Sequence, residues 1–371
     1  MIAIDYTPAY EQGAGIGRYV RELTAALMRV DEQTNYTLFV AGTTHIDTPV
    51  PQNFRWKTSR LAPVNLARLW HRLHIPLPIE LFTGKVELFH ATDFVLPPMR
   101  AKASILTVHD LSFVKVPETT SPALKRYLDN VVPKSIKRAT HVLADSQATK
   151  DDMVNIYGTP ADKITVLYSG VDQRFAHDAS QNNTIRTKYK IPQDRPYIFS
   201  VGTVQPRKNY ARLIQSLAQL RAKGHDVCLV IAGGKGWLDD PIYESIQSSS
   251  MRDYVHMIGF ADDSDLPGLY SSAICTAFPS LYEGFGLPIL ESMACGTPVV
   301  TSNVSSLPEV AGDAGLTINP YDLDELTNAL EQLITDVELR DMLIAKGYQQ
   351  AASFTWERAA RELISIYQRI I

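Results

Sequence analysis

The sequence has few cysteines and no stretch that resembles a membrane span or a secretion signal. Its 371 residues include three cysteines, Cys228, Cys275 and Cys295, and each lies in or beside an apolar run. An odd number of cysteines in such positions favours buried, reduced thiols over a redox or metal site. No window approaches about 18 consecutive apolar residues, and no basic segment followed by an apolar core opens the chain. We therefore expect a cytoplasmic protein.

Net charge is also small. The formal net charge is -4, so we expect no nucleic-acid partner for the surface as a whole. Hydrophobic residues make up 45% of the chain, which is enough to bury two cores, and charged residues make up 20%, as is usual in globular proteins. At roughly 150 residues per domain, this length predicts two domains.

Short β-branched runs alternate with segments of helical periodicity in both halves of the chain. We predict strands over 2–5, 36–41, 86–90, 104–109, 141–145 and 164–168, and again over 197–202, 227–234, 255–260, 274–280, 298–302 and 315–320. Such alternation predicts a parallel sheet with helices on both faces. Because it occurs twice, we predict an α/β protein of two Rossmann-like domains facing across a cleft. Ligands of such sheets bind beyond the carboxyl ends of the strands.

The polar segment 174–196 breaks the alternation and is the predicted linker. We therefore place an N-terminal domain over 1–175 and a C-terminal domain over 190–354. Thr355 is a predicted N-cap for a C-terminal helix over 355–371. The apolar residues of this helix follow helical spacing; they are Trp356, Ala360, Leu363, Ile366, Tyr367 and Ile370.

Two carboxylates flank a glycine turn in the segment EGFGLPILE, from Glu283 to Glu291. Pro288 suits the start of a helix, and a helix N-terminus attracts phosphate. Carboxylates there would repel phosphate but could accept hydrogen bonds from hydroxyl groups. A sugar nucleotide, with a diphosphate between two polyhydroxylated rings, meets both requirements, with Glu283 on one ring and Glu291, in the predicted first helical turn, on the other. The alternative is that both acids only complement the helix dipole.

Arg207 and Lys208 follow the strand that ends at Gly202, and we predict that they open the next helix. Cations usually avoid a helix N-terminus because of its dipole. Their presence predicts an anion between them and the helix. The alternative is that they are solvated surface charges.

Glycines recur in the segment EQGAGIGRY near the N-terminus. The pattern resembles a dinucleotide-binding fingerprint, but position 18 is Arg18, and no acidic residue ends the next strand. We interpret Gly13, Gly15 and Gly17 as a flexible loop that enters a helix and can approach phosphate or sugar.

Histidines end two predicted strands of the first half. His109 can donate to a sugar hydroxyl, and Asp110 could fix its tautomer or cap the turn; a satisfied histidine in a turn is the alternative. His90 and Asp93 could line the acceptor side, but we prefer a structural role for them.

As a set, these residues resemble the retaining glycosyltransferases of family 4, which have the GT-B fold. The E-x7-E spacing is the most specific feature. The stretches VGTVQPRKN, GAGIGRY, VHD, YSGVD (168–172) and SSLPEV (305–310) match the subgroup related to bacterial mannosyl- and rhamnosyltransferases. The resemblance covers nearly the whole chain. It implies transfer of a mannose-like hexose, with retention, from a GDP- or UDP-sugar to a glycan or lipid-linked saccharide acceptor.

The resemblance also implies roles for the residues. Glu283 would hold the donor sugar, Glu291 would bind the ribose, and Arg207 and Lys208 would neutralise the leaving diphosphate. The other expected donor contacts are His109 beside the sugar, the backbone of Gly284, Phe285, Gly286 and Leu287, and the glycines Gly13, Gly15 and Gly202. No metal or other cofactor is expected, because these cations and the helix N-terminus would stabilise the diphosphate. The C-terminal helix is expected to pack back on the N-terminal domain.

One departure from the family pattern is Thr203, where many members have arginine, so Arg207 and Lys208 must carry more of the phosphate charge. A pyridoxal-phosphate phosphorylase, a sugar-nucleotide epimerase and an inactive sugar-nucleotide-binding subunit are the alternatives. The segment 64–82 mixes apolar and basic residues, as an interfacial helix does. We prefer core packing for it and keep peripheral contact with the inner face of a membrane as the alternative.

Overall fold

A computed structural model describes residues 1–13, 15–73 and 75–371, with the backbone alone at position 179. The strands in these ranges are β1 (Ile2–Asp5), β2 (Tyr36–Ala41), β3 (Phe54–Ser59), β4 (Leu88–Ala91), β5 (Ala103–Val108), β6 (His141–Ala144), β7 (Ile164–Val166), β8 (Tyr197–Val201), β9 (Cys228–Ala232), β10 (Val255–Gly259), β11 (Cys275–Phe278), β12 (Val299–Ser302) and β13 (Gly315–Ile318).

The helices alternate with the strands. They are α1 (Thr7–Glu11), α2 (Gly15–Val30), α3 (Pro63–Ala67), α4 (Glu80–Thr83), α5 (Ser112–Lys115), α6 (Pro122–Arg138), α7 (Gln147–Tyr157), α8 (Asn182–Lys188), α9 (Tyr210–Ala222), α10 (Asp240–Ser248), α11 (Leu266–Ser271), α12 (Leu287–Ala294), α13 (Leu307–Ala311), α14 (Leu323–Thr335), α15 (Val337–Ala352) and α16 (Trp356–Ile370). Short turns complete the pattern: a π-helical turn at Arg68–Arg72 and 3-10 turns at Pro117–Thr119, Ala161–Lys163, Ala179–Gln181 and Pro206–Lys208.

The strands form two parallel sheets, as the alternation predicts. The first sheet has the order β3-β2-β1-β4-β5-β6-β7 and the second the order β10-β9-β8-β11-β12-β13. Every predicted strand is present, with ends shifted by a few residues at most. The sequence analysis missed β3, an edge strand on which Arg55 and Lys57 are exposed. Charged residues are typical of edge strands because they discourage pairing with other chains, but they weaken the apolar signal of a strand.

The contacts within the chain divide it into two units. Unit 1 comprises Met1–Leu111, Pro122–Gly170 and Trp356–Ile371, and unit 2 comprises Ser112–Ser121 and Val171–Thr355. The predicted linker 174–196 lies in unit 2 and contains α8. Ile185 of that helix is 2% exposed and belongs to a core cluster of unit 2. The polar composition of segment 174–196 therefore comes from a surface helix of unit 2.

The C-terminal helix α16 packs against α2 within unit 1. Its predicted apolar face is buried at Trp356, Ala360, Leu363, Ile366 and Tyr367. The Trp356 ring meets the Tyr19 ring of α2 edge to face, with centroids 6.0 Å apart.

Each sheet reverses its strand order at one place, between β1 and β4 in unit 1 and between β8 and β11 in unit 2. At such a point the connecting helices leave to opposite faces, so the loops after the two strands diverge and leave a crevice. Within the described ranges, no helix is long and apolar enough to cross a membrane.

Candidate functional site

The crevice of unit 2 holds a group of three charges, of which Lys208 and Glu283 are buried and Arg207 is partly buried. The loop after β8 supplies Arg207 and Lys208, and the loop after β11 supplies Glu283. Arg207 Nη1 lies 2.7 Å from Glu283 Oε2, and Lys208 Nζ lies 2.7 Å from Glu283 Oε1. Burial acts to raise the pKa of Glu283, but the two cations outweigh it and hold the pKa at about 2. With two cations and one anion, this charged triad has a net charge of +1 and attracts anions.

Lys208 is buried because Gly202 leaves room for it. Gly202 has φ +143°, and a Cβ there would lie 2.9 Å from Lys208 Cε. The ammonium group lies 4.5 Å from the centroid of the Phe278 ring. The prediction that the two cations open a helix was wrong, because they lie in a 3-10 turn before α9. Asn209, with φ +60°, separates that turn from the helix.

Two serines before α13 hold the loop that carries Glu283. The Glu283 N–H donates to Ser305 Oγ at 2.9 Å. The Ser306 hydroxyl lies 2.9 Å from the carbonyl oxygen of Glu283 and 2.6 Å from that of Phe285. Ser305 has φ +55°, an unfavourable conformation for a residue other than glycine. The two serines therefore fix the backbone on which the Glu283 side chain depends.

The loop leads directly into α12. Gly286, with φ +131°, is its N-cap, and Leu287 is its first residue. Glu291 consequently lies in the second turn of α12, and the prediction that it lies in the first turn was wrong. It is 2% exposed, and its Oε2 accepts a hydrogen bond of 2.8 Å from the Tyr270 hydroxyl. Its contact with a ribose stays a prediction.

In unit 1, His109 follows β5 and is 5% exposed. Its Nδ1 lies 2.7 Å from Asp145 Oδ2, and its Nε2 lies 2.8 Å from the carbonyl oxygen of Thr92. The carboxylate on Nδ1 therefore comes from the end of β6, and the prediction that Asp110 fixes the tautomer was wrong. Burial lowers the pKa of His109, but the charge and hydrogen bond of Asp145 raise it to about 9.

Other polar groups gather at the same edge of the first sheet. His90 is 1% exposed and lies within hydrogen-bond distance of the Tyr367 hydroxyl, at 2.8 Å, and of Thr107 Oγ1, at 2.9 Å. These contacts agree with the preferred structural role of His90. Asp93 Oδ2 accepts from Gln12 Nε2 at 3.2 Å, and burial raises its pKa.

The glycines near the N-terminus differ from the predicted flexible loop. Gly15 begins α2, and Gly17 lies inside that helix. A Cβ on Gly17 would lie 1.9 Å from the carbonyl oxygen of Gln12, so this glycine permits α1 and α2 to pack closely. A Cβ on Gly15 would meet no atom within 4 Å. Gly13 precedes the helix and is exposed, and Ala14 lies outside the described residues.

Possible metal ligands do not cluster in the part of the chain that the structure describes. No group of three or more histidine, cysteine, aspartate or glutamate side chains there could hold a metal ion. The acidic stretch 261–265 instead binds a cation of the protein, since Lys188 Nζ lies 2.9 Å from Asp262 and also contacts Asp265.

The basic and apolar segment 64–82 is only partly buried. Leu66 is 2% exposed, which agrees with the preferred prediction of core packing. Val64, Leu73 and Leu81, however, are 55%, 61% and 62% exposed. His74, between them, lies outside the described residues.

Several residues of these groups escaped the sequence analysis. Asp145 and Thr92 lie 36 and 17 positions from His109. Asp145 is the last residue of a predicted strand, 141–145, and that position could have singled it out. Ser305 and Ser306 were noted only as part of a family motif. Their contact with Glu283 carries no local signal.

Comparison with known proteins finds a matching family model for each half of the chain. Residues 13–175 match the family model described as Glycosyltransferase Family 4, and residues 181–350 match the model described as Glycosyl transferases group 1. The chain is 32% identical to O-antigen chain mannosyltransferase B of Escherichia coli over 370 residues, which cover 95% of this chain and 96% of that protein.

Solved structures share the fold at lower identity. Sucrose-phosphate synthase from Thermosynechococcus elongatus has a TM-score of 0.77 at 21% identity, over 99% of this chain and 98% of that one. Anabaena HepE in complex with UDP and glucose has a TM-score of 0.74 at 18% identity, over 99% and 98%. The chain therefore belongs to glycosyltransferase family 4, with the GT-B fold, and is a glycosyltransferase.

Proposed function

We propose that this glycosyltransferase moves a mannosyl residue, with retention of configuration, from a nucleoside-diphosphate sugar to a glycan or lipid-linked saccharide. The charged triad of Arg207, Lys208 and Glu283 is the observation that carries the proposal. Two cations, of which Lys208 is buried, suit a diphosphate, and a carboxylate between them suits the hydroxyl groups of the adjoining sugar. The similarity to an O-antigen mannosyltransferase supports mannose and a saccharide acceptor.

The chemistry follows from the charges that develop. Breaking the sugar–phosphate bond builds positive charge at the anomeric carbon and negative charge on the diphosphate. Arg207, Lys208 and the N-terminus of α12 would stabilise the diphosphate, and one such preorganised donor can contribute about 3–4 kcal/mol. The acceptor hydroxyl would attack from the face that the diphosphate leaves, with a diphosphate oxygen as the base. The sugar contact assigned to His109 and the ribose contact assigned to Glu291 are part of this proposal.

A binding and transfer experiment tests the donor. GDP-, UDP-, ADP- and dTDP-sugars are compared by thermal shift, because a specific ligand stabilises the folded protein. A GDP- or UDP-linked mannose should give the largest shift, and NMR of the product should show the α configuration of the donor. A product with inverted configuration, or no stabilisation by any donor, would contradict the proposal.

The cations of the triad make a metal ion unnecessary in this proposal. Transfer should therefore survive EDTA at full rate. Loss of activity in EDTA that Mg²⁺ or Mn²⁺ restores would show that a metal neutralises the diphosphate instead.

We also propose peripheral contact with a membrane through segment 64–82. Its exposed apolar residues Val64, Leu73 and Leu81 lie in the same segment as the exposed cations Arg68 and Arg72, a combination typical of interfacial surfaces. Sedimentation with anionic vesicles should carry the wild-type chain down and leave the Leu73→Asp variant in solution. Equal sedimentation of both would exclude this segment, and no sedimentation of either would exclude the contact.

A further inference from the structure

Asp145 contacts His109 across the ends of two neighbouring strands. β5 and β6 pair in parallel, with Val108 opposite Ala144, so the next residue of each strand is His109 and Asp145. Their contact of 2.7 Å joins side chains that are 7% and 9% exposed. In the described part of the chain, the other Asp145 oxygen, Oδ1, is buried without a hydrogen-bond partner. His109 is therefore the hydrogen-bond partner of this carboxylate.

Both ring nitrogens of His109 face oxygen atoms that accept hydrogen bonds. The Thr92 carbonyl can only accept, so Nε2 carries a proton in either arrangement of the pair. The question is whether the proton between Nδ1 and Asp145 belongs to the imidazole or to the carboxyl group. The ordinary pKa of histidine is 6.5 and that of aspartate 3.8, and burial lowers the first and raises the second. The charge of Asp145 and its 2.7 Å contact outweigh burial at the imidazole and raise the pKa of His109 to about 9. The more basic imidazole therefore holds the proton.

The position of Asp145 also favours its charge. It directly precedes Ser146, the N-cap of α7, whose side chain accepts from the Thr149 N–H. A negative charge beside a helix N-terminus is stabilised by the free N–H groups and the helix dipole. Burial raises the pKa of Asp145, and the imidazolium opposes that rise.

In the described part of the chain, aromatic rings and acidic groups surround His109. The rings of Tyr19 and Phe94 meet it edge to face, with centroids at 5.0 and 5.6 Å. His90, the basic neighbour, stays neutral because burial lowers its pKa to about 3. Among the described residues, the titratable groups around His109 are Asp145 after β6, Asp93 after β4, His90 in β4, Tyr19 in α2 and Asp110 next in sequence.

We propose that Asp145 is a positioning residue that keeps His109 as an imidazolium, with both N–H groups donating, throughout the working range of pH. His109 can then donate to an oxygen of a hydroxyl or phosphate group that displaces the Thr92 carbonyl. It cannot accept a proton and is excluded as the base of the transfer reaction. This inference rests on the proposed function for its catalytic consequence, but the ionisation of His109 does not depend on it.

The ionisation can be measured without any substrate. The full chain, labelled with ¹⁵N-histidine, contains nine histidines, and the signals absent from His109→Gln identify this ring. At pH 7.5 both nitrogens of His109 should be protonated, with titration near pH 9. In Asp145→Asn the titration should move to pH 6.5 or below. Asp31→Asn, which removes another buried carboxylate of unit 1, should lower stability and leave the His109 titration unchanged.

The pH profile of transfer then tests the role. Between pH 5.5 and 7.5, any pH-dependent step in the kcat/KM of the wild type should also be present in Asp31→Asn. Asp145→Asn should fall by at least about tenfold over that range, because one pH unit above a midpoint about one ring in ten stays protonated. Recovery of this variant at low pH separates lost charge from misfolding.

Two results would overturn the inference: an unprotonated His109 nitrogen in the wild type at pH 7.5, or the same titration in Asp145→Asn. A wild type that is inactive with every donor would refute the proposed function and leave the NMR result standing.

Discussion

Replacing Glu283 by glutamine removes the one anion of the charged triad and leaves two cations, of which Lys208 is buried and Arg207 partly buried. The pKa of about 2, against an ordinary value of 4.5, means that the ionised carboxylate stabilises the fold by about 3 kcal/mol at neutral pH. Breaking a buried ion pair by removing one partner generally costs about 3–5 kcal/mol, which agrees. We therefore expect Glu283→Gln to unfold in urea with about 3 kcal/mol less free energy than the wild type at pH 7.5.

The pH dependence identifies the cause of this loss. A carboxyl group with a lowered pKa in the folded state stabilises fully above 4.5, and the contribution is lost as the pH falls from 4.5 towards 2. The difference between wild type and variant should therefore shrink by about 1.4 kcal/mol at pH 3.5. A loss below about 1 kcal/mol at pH 7.5, or one that is the same at pH 3.5, would refute the reasoning.

A double-mutant cycle supplies the control. Lys208→Met leaves Glu283 with Arg207 alone, and the double variant has one cation and no anion in the group. If the charges interact directly, the double variant should lose at least about 1 kcal/mol less than the two single losses combined. A free nucleoside diphosphate should raise the melting temperature of Glu283→Gln more than that of the wild type, because it no longer competes with the carboxylate for the two cations.

Three further predictions concern the surrounding fold. Burial holds the pKa of His90 near 3, so the unfolded state binds one more proton than the folded state below pH 6.5. His90 should therefore lower the free energy of unfolding by about 2 kcal/mol at pH 5 relative to neutral pH. In His90→Gln, the loss of stability in acid, measured by urea unfolding, should be smaller by that amount. Gly17→Ala should cost about 1–3 kcal/mol because its Cβ would overlap a backbone oxygen, whereas Gly15→Ala, which meets open space, should unfold like the wild type. Ser305→Gly should be about 1 kcal/mol less stable than Ser250→Gly. Both substitutions relieve a positive φ, but only Ser305→Gly removes the side-chain acceptor of a backbone N–H, that of Glu283. Equal stabilities of the two variants would show that this hydrogen bond contributes nothing.

The arrangement of strands and helices was readable from the sequence because local periodicity decides it. Runs such as YTLFVA (36–41) and CLVIA (228–232) are buried on both faces of a parallel sheet and leave a continuous apolar signal. The glycines after Glu283 and Pro288 likewise predicted the turn and the helix, and the E-x7-E spacing indicated the family. Polar composition misled at 174–196, and charged residues hid β3, because both are surface elements whose apolar pattern is weak.

Only the tertiary structure decided which charges meet. Glu283 lies 75 positions from Lys208, and Asp145 lies 36 positions from His109. These contacts exist because β8 pairs with β11 and β5 pairs with β6, and strand order is a property of the folded sheet that no local pattern encodes. The same holds for Gly17, whose lack of a side chain looks like flexibility in the sequence and serves close packing of two helices in the fold. Residue types and their positions after strands were therefore set by the sequence, and their partners and ionisation by long-range packing.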